Sequence, residues 1–342
     1  MGRRHAVWMG LVLLSVAGSA SAEEARQTKT RLEEVTVTAE QERGPFLPDV
    51  QGTAIHAGKK TALIDLKQQP AIVNNNYRQV LNKTPGLLLS EETTPLLSIG
   101  YRGLDPHRAQ FIQVLKDGIP IHADMFGYPE AYYTPPLQSI DHMEFIHGGA
   151  SLMYGPQPGG ALNFITKQPA TGTPFALYTE NTFGTDDLFS HYTSFSGHTN
   201  PFGYLGYFHE RETNGFRQAN SDFEVLGGGL KTTLGQTTDS RWTLGYDEYH
   251  EEHGEPGGLT KAVAESEGRD QTTRFNDRFR LERSYGSLLY ERALGEASQL
   301  DVRTFGGHYR RYSKRQRGGG FGTVPTGSTS TTNSIEEQDF YT

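Results

Sequence analysis

Residues 250–253 read His-Glu-Glu-His, residue types that bind zinc and move protons in hydrolases. That chemistry needs two histidines four positions apart on one face of a helix. Here they are three apart, and the segment leads into a glycine- and proline-rich stretch that begins at Gly254. We therefore predict the end of a β-strand at this position rather than a metal site.

Two other patterns approach catalytic motifs without completing them. Residues 149–153 (Gly-Ala-Ser-Leu-Met) are one glycine short of a nucleophile elbow, and residues 58–60 (Gly-Lys-Lys) lack the Ser or Thr of a phosphate loop. The chain has no cysteine, which excludes disulfides and cysteine-ligated zinc or iron–sulfur sites. We predict a protein that is not an enzyme and has no cofactor.

Two groups of residues are candidates for binding an anion. An arginine offers a permanent charge and a bidentate donor for such a ligand. The first group is a segment expected to be a loop, which carries Arg310, Arg311, Lys314, Arg315 and Arg317. It could steer an anionic ligand, bind phosphate groups or be a plain solvated loop. The second group contains His107, Arg108, His122, Asp124 and Tyr128, where plain loop residues are the alternative.

The first residues resemble a secretion signal. Residues 1–5 are basic, residues 6–18 are apolar, and Ala20-Ser21-Ala22 is a small-residue cleavage pattern. A retained anchor is the alternative, but the apolar run is shorter than the roughly 20 residues that cross a bilayer as a helix. We expect a signal peptide over 1–22 and export. The net charge of −8 argues against a nucleic-acid partner.

Up to about residue 170 the predicted elements are short and mixed. Asn74 or Asn76 is positioned to cap a helix over 77–82, which Pro85-Gly86 ends. Residues 111–115 and 119–121 flank Lys116-Asp117-Gly118, a strand–turn–strand pattern. A turn of helix over 136–139 and strands over 142–146 and 161–166 follow. This indicates a compact α+β unit.

After Thr173 the pattern changes to strands of about ten residues joined by short and long connections in alternation. This is typical of an outer-membrane barrel, although a soluble β-sandwich is the alternative. In one strand Trp242, Leu244 and Tyr246 alternate with Thr243, Gly245 and Asp247. The predicted strands are Phe175–Phe183, Leu188–His198, Gly203–Thr213, Phe223–Leu234, Arg241–Glu251, Ser284–Ala293 and Gln299–Tyr312.

Ordered motifs in the first half resemble the plug of TonB-dependent outer-membrane receptors. They cover roughly residues 33–169, and with residues 101–108, 132–133 and 255–260 they look most like the branch that includes ferric-dicitrate receptors. The motifs lie at residues 80–86, 99–103, 114–120, 140–148, 152–155 and 159–167.

The resemblance implies an α+β plug domain followed by part of an antiparallel transmembrane β-barrel. The expected boundaries are a periplasmic leader over 23–44, a plug over 45–170 and barrel strands over 171–342. Barrels of this family have 22 strands, whereas about seven fit here and an eighth begins near Ser334. We therefore expect a C-terminally incomplete barrel.

The resemblance also assigns partners. A short alternating segment behind the signal is the expected TonB box, which would pair with TonB as an added strand and receive energy from its inner-membrane complex. An ordinary disordered leader is the alternative. The box comprises Glu33, Glu34, Val35, Thr36, Val37 and Thr38.

Structural roles in the plug follow from the same motifs. We expect Gly103 to permit a tight bend and Arg102 to bond carboxylates or carbonyls in the plug or across to the barrel. The other residues with an implied structural role are Asp117, Gly118, Tyr154, Gly155 and Gly160.

The function implied is uptake across the bacterial outer membrane of a ferric chelate, such as iron(III) dicitrate or another carboxylate siderophore. The implied surroundings are outer-membrane lipid and lipopolysaccharide. Uptake of cobalamin or carbohydrate is an alternative within transport. A secreted soluble glycan-binding β-protein is the alternative from another class.

Overall fold

The computed structural model describes residues 61–69, 72, 74–90, 92, 94–124, 130–147, 155–235, 240–295, 298–318, 322–323 and 333–342. The expected signal peptide, the TonB box at 33–38, Tyr128 and Tyr154 lie outside these residues. None of the described helices is long and apolar enough to cross a membrane.

The first part of the described chain, residues 61–166, is called the plug region below. Three single turns of 3₁₀ helix, at Leu66–Gln68, His107–Ala109 and Leu137–Ser139, connect its elements. The elements are β1 (Thr61–Asp65), α1 (Tyr77–Leu81), β2 (Leu87–Ser90), β3 (Ser98–Tyr101), β4 (Gln113–Lys116), β5 (Ile119–Pro120), β6 (Ile140–Ile146) and β7 (Ala161–Thr166).

Five of these strands form a mixed sheet in the order β1-β6-β7-β4-β5, and β2 pairs with β3 in a separate hairpin. The predicted helix begins where expected, and Asn76 rather than Asn74 caps it by accepting a hydrogen bond from the Gln79 amide. The turn between β4 and β5 consists of Asp117 (φ 50°) and Gly118 (φ 76°). Positive φ at both positions is the geometry that favours Asp-Gly in two-residue hairpins.

The second part is an eight-stranded antiparallel meander, called the wall sheet below, in which each strand pairs with the next along the chain. The predicted strands are confirmed, and several extend further than expected. The strands are β8 (Ala176–Phe183), β9 (Phe189–Thr199), β10 (Phe202–Thr213), β11 (Phe223–Leu234), β12 (Ser240–Gly254), β13 (Arg278–Gly295), β14 (Ser298–Gln316) and β15 (Asn333–Tyr341).

The connections divide between the two ends of the wall sheet. At one end the turns are short, and at the other the connections 214–222, 255–277 and 317–332 are long, although residues 184–188 make a short turn there too. The connection 255–277 carries a second helix, α2 (Lys261–Ser266), which Thr260 caps. The plug region followed by this antiparallel sheet is the expected architecture, an α+β plug with part of a barrel.

The two faces of the wall sheet differ in chemistry. One face exposes apolar side chains such as Leu230, Trp242, Leu244 and Val302. The other packs against the plug region, and one apolar core includes Val80 and Phe164 of the plug region with Tyr249 and Phe279 of the wall sheet. The same inner face also buries charged side chains such as Arg211, Asp247 and Arg283. An apolar outer face around a largely polar interior is the arrangement of a membrane barrel.

The Arg310–Arg317 segment is not the loop that the sequence predicts. β14 continues to Gln316 because Arg278 of β13 pairs with Lys314, and Asn333 of β15 pairs with Gln316. Hydrogen bonds to β13 on one side and β15 on the other satisfy the backbone of this segment, so its charged residues stay in an extended conformation. The charged side chains therefore alternate between the two faces of the wall sheet.

Candidate functional site

The candidate site is the polar contact between the plug region and the inner face of the wall sheet. Three groups of charged or hydrogen-bonded side chains link the two parts at different heights, and a fourth contact involves Arg211. Each group joins an element of the plug region to neighbouring strands of the wall sheet.

The first group centres on Glu255, at the end of β12. Its Oε1 lies 2.5 Å from Nη2 of Arg108 in the plug region, and the Arg315 guanidinium pairs with its other oxygen. The Arg108 guanidinium also lies 5.5 Å from each of the rings of Tyr132 and Phe279. A buried cation between two aromatic rings and a carboxylate is stabilised by both kinds of contact.

The second group joins β4 to β12 and β13. Lys116 pairs with Asp247, which also accepts a hydrogen bond from Arg283 at 2.8 Å. The Arg283 guanidinium lies 4.4 Å from the centroid of the Tyr133 ring. Burial lowers the pKa of the Lys116 ammonium, and the Arg283 charge acts in the same direction.

The third group lies at the β4–β5 turn. Asp117 accepts hydrogen bonds from the amide and the hydroxyl of Thr166, at 2.9 and 2.6 Å, and pairs with Lys231 of β11 at 3.1 Å. Lys231 also donates to the Thr166 hydroxyl. Burial raises the pKa of the Asp117 carboxyl, but the Lys231 ammonium and the Thr166 donors outweigh it and hold that pKa below its usual value.

The long connections of the wall sheet are tied to one another near Glu255. The Asn220 side-chain amide donates to the carbonyls of Glu255, Arg274 and Asp277 at 3.2, 2.9 and 2.8 Å. Asn220 has φ 57°, which asparagine tolerates better than most residues. The connection 214–222 therefore fixes both ends of the connection 255–277, and with them the position of Glu255.

The predicted ligand-binding residues fall into two groups. Arg108, Arg311 and Arg315 come together on the inner face, and Arg311 and Arg108 both lie within 6 Å of the Phe279 ring. Arg310 faces the opposite side of β14 and pairs with Asp339 at 3.0 Å. The alternation of β14 separates it from the others.

His107 and His122 also differ in setting. His107 is half-exposed, and its Nδ1 lies 3.6 Å from Glu92. His122 is buried, and its Nε2 accepts a hydrogen bond from the Val114 amide at 2.9 Å. His122 therefore does not lie in an exposed loop, because its ring satisfies a backbone donor inside the plug region. Asp124 is only partly buried, at the end of the described segment.

The predicted structural residues are placed as follows. Arg102 (φ 52°) and Gly103 (φ 88°) form the expected tight bend, but the Arg102 guanidinium lies 5.0 Å from the Tyr101 ring instead of bonding a carboxylate or carbonyl among the described residues. Gly155 packs against the Gln113 side chain, and Gly160 (φ 98°) precedes β7 beside the Ile146 carbonyl.

Sequence reasoning missed the wall residues that meet the plug region. Arg211, Lys231 and Arg283 are isolated in the sequence, and only their inward positions on neighbouring strands bring them to the plug region. Glu255 had a signal, because it begins the 255–260 motif. His250 and His253 lie on a strand, as predicted, where His253 is buried and His250 is exposed.

Comparison with known proteins agrees with this arrangement. Residues 61–162 match the family model described as the TonB-dependent receptor plug domain. That family consists of receptors and not of enzymes.

Solved structures of similar fold are about twice as long as this chain. The ferric citrate transporter FecA, in its unliganded form, is 24% identical with a TM-score of 0.66, over 76% of this chain and 41% of that one. The siderophore receptor PiuA from Acinetobacter baumannii is 17% identical with a TM-score of 0.59, over 78% and 40%.

A third similar structure is the open form of the ferric-catecholate import receptor Fiu from E. coli K12. It is 17% identical with a TM-score of 0.60, over 82% of this chain and 44% of that one. These identities are low, so the structural likeness describes the fold, whereas the match to the family model describes residues 61–162. Residues 61–162 thus match the plug domain of TonB-dependent receptors, and the plug region with the wall sheet has the fold of these three receptors.

Proposed function

We propose that the chain is part of an outer-membrane receptor that takes up a ferric chelate of the carboxylate type with energy from TonB. The observation that carries the proposal is a plug domain held by paired charges against the inner face of a sheet whose outer face is apolar. The apolar outer face is suited to lipid, which also argues against the soluble glycan-binding alternative.

The contacts between plug and wall are suited to a part that must move. Paired charges that leave water gain attraction but lose hydration, so their net stabilisation is small while their geometry is specific. Lys116–Asp247 and Asp117–Lys231 therefore fix the position of the plug without binding it irreversibly. A pull on the plug exchanges these pairs for water.

Substrate binding belongs at the end of the wall sheet that carries the long connections. Arg108, Arg311 and Arg315 meet there around Glu255 and Phe279. An anionic chelate that competes with Glu255 for the guanidiniums of Arg108 and Arg315 would weaken a contact that holds the plug. Binding would in this way shift the plug towards a state from which TonB can displace it.

TonB engages residues 33–38 in this proposal. Val35 and Val37 favour extended backbone, and an extended segment adds to the edge of a partner's sheet through main-chain hydrogen bonds. The lipid of the outer membrane and its lipopolysaccharide surround the barrel. The signal peptide over 1–22, the leader over 23–44 and the plug over 45–170 complete the proposed organisation.

Energised uptake of radiolabelled ferric citrate by cells carrying the receptor gene tests this function. Val35→Pro removes an amide from the docking strand, so we expect uptake to fall to background while ferric citrate still binds at 4 °C. Val35→Ile keeps the amide and the β-branch and serves as the matched control. Equal uptake by the proline variant would contradict the docking role, and uptake of cobalamin or carbohydrate instead of ferric citrate would contradict the substrate.

A further inference from the structure

A row of aromatic rings crosses the inner face of the wall sheet. Tyr192 of β9 and Tyr207 of β10 stack with their centroids 5.9 Å apart and 20° between their planes. Tyr207 lies 6.2 Å from His209, and His209 lies 6.3 Å from Tyr249 of β12. At the other end Tyr178 of β8 lies 6.1 Å from Tyr192. All four separations fall in the range of about 4.5–7 Å that contacting aromatic pairs show, and these five residues are called the ring chain below.

Two glycines of β11 allow the ring chain to pass from β10 to β12. Gly229 lies opposite Tyr207 and Gly227 opposite His209 in the ladder between β10 and β11. A Cβ on Gly229 would lie 2.6 Å from the Tyr207 ring, and a Cβ on Gly227 would lie 2.5 Å from Nε2 of His209. Glycine weakens the interior of a strand, so its presence opposite both rings indicates that their close approach to the backbone matters.

Both ends of the ring chain carry a phenol that is hydrogen-bonded to a carboxylate. The buried Tyr249 donates to Oε2 of Glu251 at 2.5 Å. Tyr178 is 50% exposed and donates to Oε2 of Glu180 at 2.6 Å. A carboxylate in this position can take the proton of a phenol that loses an electron, and can return it afterwards. Each end therefore has the partner that a one-electron oxidation of tyrosine requires.

The ring chain connects the contact around Glu255 with an exposed phenol. Oε1 of Glu251 lies 2.7 Å from Nδ1 of His253, and Nε2 of His253 lies 3.8 Å from Oε1 of Glu255. Tyr249 is thus next to the residues that hold the plug region. Tyr178 lies on β8, with three strands of the wall sheet between it and β12. The two ends therefore differ in exposure and are far apart across the sheet.

We propose that the ring chain carries an oxidising equivalent from Tyr249 to Tyr178. A hydroxyl radical takes an electron from Tyr249 and becomes hydroxide, while Glu251 accepts the phenol proton. An electron then passes along the rings from Tyr178 to Tyr249, Glu251 returns its proton to Tyr249, and Glu180 accepts the proton of Tyr178. A thiol in solution gives a hydrogen atom to the Tyr178 radical, and Glu180 releases its proton to water.

This activity goes beyond the proposed uptake function. Hydroxyl radicals arise where iron ions react with peroxide, so the link to iron rests on the proposed function. The transfer along the rings does not depend on the transported ligand. It moves the oxidation away from the buried contact of Arg108 with Glu255 to a phenol that solution reductants reach.

A photo-oxidant attached beside Tyr249 tests the transfer. The chain contains no cysteine, so His250→Cys directs a ruthenium complex to one exposed position next to Tyr249 in β12 of the purified receptor. A light flash with a soluble electron acceptor generates the oxidant at the label. A nitroso spin trap captures tyrosyl radicals, and peptide mass spectrometry locates the adducts. We expect an adduct at Tyr178 in this labelled receptor.

Two variants of the labelled receptor interrupt the proposed path. Tyr207→Phe keeps the ring and its packing but removes the readily oxidised phenol, so we expect the adduct at Tyr178 to fall to background. Glu180→Gln removes the proton acceptor of Tyr178 and should have the same effect. Tyr204→Phe is the matched control, because position 204 lies in the same strand as Tyr207 but faces the opposite side. Heat-modifiable mobility checks that all variants are folded.

The position of the adducts decides the proposal. An adduct at Tyr178 that is lost in Tyr207→Phe and in Glu180→Gln, and kept in Tyr204→Phe, supports it. Absence of an adduct at Tyr178, or equal amounts in either path variant and the labelled receptor, would overturn it. The label supplies the oxidant without iron, so this result is independent of ferric citrate uptake, and either proposal can fail while the other stands.

Discussion

Single side chains hold the plug region against the wall sheet, and Asp117 is one of them. Two constraints favour an aspartate at position 117. The turn needs positive φ there, and the carboxylate accepts a hydrogen bond from Thr166 and forms an ion pair with Lys231. The sequence pattern predicted the turn from Asp-Gly alone. It did not predict the ion pair, because Lys231 belongs to a strand more than a hundred residues further along the chain.

Acid should weaken the contact at Asp117. Its folded-state pKa lies below the value of about 3.9 of an unfolded aspartate, so its contribution to stability is complete above about pH 4 and is lost as pH falls through the lower folded value. We expect the protection of residues 113–120 against hydrogen exchange, measured relative to the intrinsic rate at each pH, to fall in the wild type as the pH is lowered from 6 to 3. Asp117→Asn should exchange faster at pH 6 and change less with pH.

The exposed Asp301→Asn provides the control for this titration and should follow the wild type. A wild-type and an Asp117→Asn profile that run parallel from pH 6 to pH 3 would show that the carboxylate does not contribute.

At the scale of elements, two glycines that the sequence singles out are constrained for different reasons. A Cβ on Gly160 would lie 2.6 Å from the Ile146 carbonyl oxygen, and its φ is 98°. A Cβ on Gly103, with φ 88°, would meet nothing within 4 Å. Gly160 is thus constrained by strand packing, whereas Gly103 is constrained by the bend alone.

Alanine at these two positions should therefore separate crowding from backbone strain. We expect Gly103→Ala to lower the free energy of unfolding by about 1 kcal/mol, the cost of the left-handed conformation. Gly160→Ala should cost at least about 2 kcal/mol, because β7 must also move away from β6. Urea unfolding of the purified receptor measures both, and equal losses would contradict the packing argument.

At the scale of the whole molecule, the wall sheet exposes a band of apolar side chains on its outer face, including Leu230, Trp242, Leu244 and Val302, while its other face meets the plug region. Leu244 is 51% exposed on the outer face, while Thr243 beside it points to the other side. Because successive side chains point to opposite faces, each strand of the wall sheet has one side towards the exterior and one side towards the interior. The plug lies on the interior side.

Lysine substitutions at positions 244 and 243 should distinguish the outer face of the wall sheet from its inner face. Leu244→Lys places a charge where lipid is expected, at a cost of roughly 2–4 kcal/mol near the bilayer midplane. We expect a smaller fraction of this variant to assemble in the outer membrane, whereas Thr243→Lys should assemble nearly as the wild type does. Heat-modifiable mobility of the outer-membrane fraction measures assembly, and equal losses would argue against a lipid-facing surface.

Local patterns in the sequence determined the elements. The cap at Asn76, the Asp117-Gly118 turn and the strands of the wall sheet depend on neighbours within a few positions, so residue types alone predict them. The plug motifs predicted in the same way the plug domain that residues 61–162 match. The sequence predicted a loop where β14 ends, because a run of charged residues has a low local strand propensity. Backbone pairing with β13 and β15 keeps these residues in the strand.

Only the tertiary structure decided which charges meet. Glu255 with Arg108, Asp247 with Lys116 and Asn74 with Arg211 are relations between residues far apart in the chain. Their pairing depends on the register of neighbouring strands and on which side of each strand faces the plug. A shift of one residue would send every one of these side chains to the opposite face, and no local pattern records that choice.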